Sequence, residues 1–159
     1  DTKNIPHKSA LLLRTADCAP VTFARRDWNM FWIVHIGWKW LVSWIIKNTR
    51  LKLEKLWQDI NNFDIWIWPM AGEGFEFWRE DFKQQILPFI SKYNIHLNII
   101  ETNTKITFNL RELVIKALIS DWFKQENIFY SDKNTLSEKE NLPSWRKGDK
   151  RRITTLIYN

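Results

Sequence analysis

Residues 9–36 read SALLLRTADCAPVTFARRDWNMFWIVHI, and this stretch decides the fold. Residues 9–14 form a short apolar run, residues 20–25 alternate apolar and polar side chains, and residues 31–36 read as a buried strand. The gaps are of turn length and hold Asp17 and Arg26-Asp27. The three runs are therefore expected as neighbouring strands of one sheet.

Beyond this stretch the period changes. Leu41, Ile45, Leu53, Leu56, Trp57 and Ile60 fall mostly on one helical face, in a helix that Asn61-Asn62 ends. Residues 64–69 (DIWIWP) alternate like a strand, and Gly72 and Gly74 mark a turn into an amphipathic segment, 79–93. Its core face is Phe82, Ile86, Phe89, Ile90 and Tyr93, with Pro88 kinking or splitting it because proline lacks the helical N–H. The clearest helix carries Leu110, Leu113, Val114, Ala117, Leu118 and Trp122 at spacings of three and four. Residues 128–130 and 153–158 are the last strand candidates, on either side of a polar, charged segment, 131–152. With no internal repeat and no shift of composition, residues 1–159 read as a single α+β domain.

Composition sets the bounds. At 159 residues, 45% hydrophobic and 26% charged, the chain can bury a real core and is neither disordered nor fibrous. Its one cysteine, Cys18, excludes an intramolecular disulfide and a four-cysteine zinc site and fits a reducing compartment, so a cytoplasmic location is expected. The most apolar stretch, 30–46, is interrupted by His35 and Lys39, which argues against a membrane span. The net charge of +6 permits contact with anions without choosing among them. Two counts are abnormal: 11 tryptophans, and only 4 glycines where average usage near 7% gives about eleven.

Cys18 and His35 stand at the ends of two neighbouring candidate strands. A thiolate beside an imidazole suits a borderline-soft metal such as zinc or copper, or a cysteine nucleophile activated by histidine. The blander alternative is a small buried thiol and a core histidine. No phosphate-binding glycine loop, dinucleotide fingerprint, HExxH or serine triad motif is present.

Thr15-Ala16-Asp17-Cys18-Ala19-Pro20-Val21, followed by His35-Ile36-Gly37-Trp38-Lys39, resembles the signature of the YfiH family, also called laccase-domain or polyphenol oxidoreductase proteins. Ile67-Trp68-Pro69-Met70-Ala71-Gly72 with Phe75-Glu76-Phe77, then Ser144-Trp145-Arg146-Lys147 and the closing strand, are similar to that family's later motifs in the same order. The resemblance implies a layered α/β/β/α sandwich with mixed sheets, distantly like cysteine hydrolases. It also implies purine nucleoside phosphorylase activity on adenosine, inosine or methylthioadenosine, accompanied by adenosine deaminase activity. The implied metal centre combines an upstream histidine, the motif cysteine and the motif histidine. The last two carry over to Cys18 and His35 as catalytic residues and ligands of zinc, with copper as the alternative.

The first histidine belongs to a segment upstream of residue 1, so the chain is expected to lack an N-terminal part. His7 could replace it only by rearrangement, and His96 lies in a polar connection. By resemblance, Lys39, in place of the family's arginine, and Arg146 bind the anionic substrate, and Asp17 supports the cysteine turn or orients a ligand. Glu76 is a candidate acid or a polar residue after a tight turn. Trp40, Trp68 and Trp78 stand where the family prefers glycine and are expected to narrow or block the pocket.

The implied partners are a purine nucleoside and phosphate. A degenerate, non-catalytic member acting as an interaction or structural protein is the second reading, with its tryptophans and basic surface as the contact. The basic run Arg146, Lys147, Lys150, Arg151 and Arg152 beside Trp145 suggests a weaker third, nucleic-acid binding, against which stands a simple solvated hairpin.

Overall fold

The computed structural model describes residues 9–56 and 58–158. His7 and Trp57 lie outside the described residues. The fold is α+β, with several sheets around one hydrophobic core. Strands β2 (Ala19–Arg25) and β3 (Phe31–Ile36) form an antiparallel hairpin, so the second and third runs are the neighbouring strands expected of them. Strand β4 (Phe63–Ile67) adds antiparallel to the other side of β2, and β8 (Ile128–Tyr130) adds parallel to β4. Strand β2 lies inside this sheet, and all its residues before Arg25 are buried.

The first run corrects the expectation of three neighbouring strands. Strand β1 (Ala10–Thr15) joins the far end of the chain, pairing with β9 (Ile153–Tyr158) in a separate two-stranded antiparallel sheet. Asp17, with φ 75°, lies in the turn that separates β1 from β2. Both strands are only half covered, leaving Leu12 and Leu156 exposed.

A third sheet has no counterpart in the sequence reading. Strand β5 (Phe75–Trp78) pairs with β7 (Lys105–Phe108), which also pairs with β6 (Ile100–Glu101). Phe75, Phe77 and Phe108 meet there edge to face or tilted.

The helices are more broken than the periodicity suggests. Helix α1 (Trp38–Val42) and helix α2 (Ile45–Lys55) replace one continuous helix, interrupted at Trp44, whose φ is 67°. Asn61-Asn62 closes a separate 3-10 turn that Asp59 caps by accepting a hydrogen bond from the Asn61 N–H at 2.9 Å. Helix α3 (Arg79–Asp81) runs through a π turn (Phe82–Ile86) into helix α4 (Leu87–Lys92). The expected break at Pro88 takes this form: a wider turn makes room for a ring that has no N–H to give and would crowd the carbonyl one turn back. Helix α5 (Leu110–Ser120) buries Leu110, Leu113, Val114, Ala117 and Leu118 as predicted, and Asn109 caps it by accepting from the Glu112 N–H. Trp122 departs from that face: it lies beyond the helix end and is 76% exposed.

Candidate functional site

Distant segments converge on one cleft of about 760 Å³. The turn after β1 contributes Asp17 and Cys18, β3 contributes His35, and α1 contributes Trp38. Phe75 and Leu110 form part of the wall, and Trp145, Arg146 and Arg152 come from the segment before β9. The β1–β9 register pairs Thr15 with Ile153 and so brings Arg14 and Arg152 to the same rim.

The hairpin explains how Cys18 and His35 meet. Ala19 pairs with Ile36, and Pro20 with His35, so Cys18 lies across from Gly37. A Cβ on Gly37 would come within 2.9 Å of the Cys18 Sγ. Only a residue without that atom lets the thiol sit where it does.

Asp17 ties the turn to the rest of the fold. It is buried and in the left-handed region, where Asp is among the tolerated residues. Its Oδ1 accepts from the Thr135 hydroxyl at 2.7 Å and its Oδ2 from the Arg146 backbone N–H at 2.9 Å. Its carbonyl accepts from the Ala71 N–H at 2.9 Å. Asp17 therefore fixes the cysteine turn, the 135 loop and the arginine segment against each other.

Arg146 lies over Phe75, its guanidinium carbon 3.9 Å from the ring centroid, and one guanidinium N–H donates to the Glu76 carbonyl at 2.9 Å. Burial lowers its pKa, partly opposed by Asp17, Glu76 and Cys18, and as a guanidinium it stays cationic. Arg152 rests on Trp145, 5.3 Å from the ring centroid. The cleft thus holds three guanidinium groups, from Arg14, Arg146 and Arg152, and one carboxylate whose oxygens are both occupied.

The two reactive groups are neutral at neutral pH. Burial, and then the Asp17 charge, push the Cys18 thiol above its ordinary value of 9.0 against a smaller opposing pull from Arg146. Loss of water on its inner side lowers the His35 imidazole below 6.5, although the ring keeps an exposed face. The resting pair is a thiol and a neutral imidazole, not an ion pair.

Among the residues singled out in the sequence, Asp17, Cys18, His35 and Arg146 come together here. Lys39 does not line the cleft; it is exposed, with its ammonium 5.5 Å from the Trp38 ring centroid. Glu76 forms an ion pair with Lys105 and faces a neighbouring cavity of about 290 Å³ that shares Trp38 and Arg146. His96 is exposed elsewhere, its carbonyl accepting from Lys116.

The expected blockage by tryptophan does not occur: Trp40, Trp68 and Trp78 all lie outside the cleft lining. Trp68 donates from Nε1 to the Thr22 hydroxyl at 3.1 Å, and Trp40 and Trp78 face solvent. Arg14, Trp38 and Phe75 were not anticipated as walls, nor was Thr135 as a support. Trp145 and Arg152 carried a signal, a basic run beside an aromatic, whose destination is this cleft.

A metal centre needs more than this pair. Cys18 and His35 offer donors of suitable chemistry, but among the described residues no group of three His, Cys, Asp or Glu side chains gathers to hold an ion. Zinc commonly takes three or four protein ligands. The described residues do not complete such a site.

The model of the family described as multi-copper polyphenol oxidoreductase laccase matches residues 5–158, and the chain belongs to that family. The chain resembles several solved structures in fold. They include YfiH of Bacillus licheniformis (TM-score 0.77, 19% identity) and YlmD of Geobacillus stearothermophilus (TM-score 0.80, 19% identity), each covering 94% of this chain and 57% of its own. NMB0706 of Neisseria meningitidis, a protein of the DUF152 group, has TM-score 0.77 and 21% identity over 94% of this chain and 60% of its own. The chain therefore spans less than two-thirds of the length of these structures. None of the curated proteins matches it by sequence.

Proposed function

We propose that this cleft binds a purine nucleoside together with phosphate and belongs to a nucleoside phosphorylase with accompanying adenosine deaminase activity. The observation that carries the reading is the convergence of Cys18 and His35 with three arginines and the rings of Trp38 and Trp145. Flat aromatic walls suit a heterocycle, and guanidinium groups suit phosphate oxygens. Membership of a family named for enzymes supports catalysis at the coarse level.

In phosphorolysis a phosphate oxygen forms a bond to the anomeric carbon as the glycosidic C–N bond breaks. The bonding electrons leave with the base, which takes up a proton. Arg146 and Arg152 would hold the phosphate, and Trp38 and Trp145 the base. His35, neutral and facing the cleft, can relay a proton through Nδ1 or Nε2. No described helix is long and apolar enough to cross a membrane.

A non-catalytic interaction role is favoured by one observation, an apolar groove of about 300 Å³ that includes Trp28, Trp66, Trp68 and Leu156. Quenching of tryptophan fluorescence distinguishes the two readings. Inosine with phosphate is expected to give saturable quenching that Trp38→Ala and Arg146→Ala weaken at least tenfold. No saturable change would remove the nucleoside reading.

A further inference from the structure

Six described non-glycine residues have φ in the left-handed region: Asp17, Trp28, Trp44, Asn94, Trp122 and Asn141. Asp and Asn tolerate it because their short polar side chains bond locally. Tryptophan has no such excuse, yet it holds three of the six positions.

Each of the three stands where backbone geometry asks for glycine. At the end of α5, the Trp122 N–H donates to the Ile119 carbonyl at 3.1 Å and the Phe123 N–H to the Leu118 carbonyl at 3.2 Å. This is the Schellman arrangement, with buried Phe123 as its apolar anchor and Trp122, φ 72°, in the position glycine usually fills. The end of α4 repeats the pattern, with the Asn94 N–H bonded to Ser91 and the Ile95 N–H to Ile90, and there the left-handed residue is Asn94. Trp44, φ 67°, follows the C-cap of α1 with its N–H on the Leu41 carbonyl at 3.1 Å. Trp28, φ 57°, ends the turn between β2 and β3 with its N–H on the Arg25 carbonyl at 2.7 Å. Glycine is the usual residue at a left-handed turn position because it has no Cβ to strain.

Packing gives no reason for an indole at two of these sites. Trp28 is 59% and Trp122 76% exposed. Trp44 does pack, tilted on Phe89 and Tyr93 with Lys92 above it. Trp38 is the contrast, with no left-handed φ and its ring edge-on to Phe77 at 4.8 Å.

We infer that residues 28, 44 and 122 are glycine positions of this fold, and that the natural polypeptide carries glycine there because its organism decodes as glycine a codon that is elsewhere read as tryptophan. The counts of 11 tryptophans and 4 glycines then share one cause. The inference is independent of the proposed activity and concerns only the backbone.

Two experiments test it. In this chain, Trp28→Gly and Trp122→Gly are each expected to raise Tm by roughly 2–4 °C. They should exceed Trp28→Ala and Trp122→Ala, since alanine keeps the Cβ that causes the strain, whereas Trp38→Gly should lower Tm. Glycine variants no more stable than the alanine variants would overturn the inference. Peptide mass spectrometry of the protein from its own source reads all three positions directly: glycine at each supports the inference, and tryptophan overturns it.

Discussion

Gly37 and Cys18 show how closely this site depends on single atoms. Adding one methyl group at Gly37→Ala puts carbon 2.9 Å from the Cys18 Sγ. Because that sulfur ends a short rotatable side chain, the thiol turns away instead of the backbone yielding. The expected outcome is a stability loss of about 1 kcal/mol, read by urea unfolding, with a larger change in Cys18 alkylation rate. Arg146 acts on the same thiol through charge. Arg146→Met removes the group that holds the Cys18 pKa down, so alkylation by iodoacetamide at pH 8 should slow. His35 has its pKa below 6.5 when folded, so the unfolded chain takes up that proton first as pH falls. Its contribution to stability is therefore present above about pH 6.5 and is lost progressively below it. Tm measured from pH 7.5 to 5 should fall less steeply in His35→Gln than in the parent chain.

At the scale of elements, the Asp17 turn does most of the joining. Thr135→Val removes the hydrogen bond to a buried carboxylate and should cost about 1.5–3 kcal/mol in urea unfolding. The same substitution loosens the segment that carries Arg146, because both bonds end on one carboxylate. Local pattern made some of these elements readable and left others hidden. The β2–β3 hairpin and α5 announce themselves because residues 20–25 and 31–36 are two strand-length runs a turn apart, and because Leu110, Leu113, Val114 and Ala117 recur at helical spacing. Strands β5, β6 and β7 are too short for a period to emerge, at 4, 2 and 4 residues. The pairing of β1 with β9 has no local signature, since its partners stand at opposite ends of the chain. The break at Trp44 was hidden for another reason: its apolar side chain fits the helical pattern while its backbone does not.

Across the whole molecule, the pair that defines the site was readable and its surroundings were not. Cys18 and His35 sit in motifs at the ends of a hairpin, so sequence order already brings them together. Arg14, Phe75 and Arg152 reach the cleft through the pairing of distant strands, and no spacing along the chain could have joined them. The same long-range assembly keeps Trp40, Trp68 and Trp78 out of the cleft. The account therefore predicts a competent site, and the release of free purine base from adenosine tests it most directly. Chromatography of reactions with and without phosphate should show base released only when phosphate is present, and far less from Arg146→Ala, which loses a group that holds the phosphate. No release with phosphate, or equal release from Arg146→Ala, would contradict the assignment of this cleft.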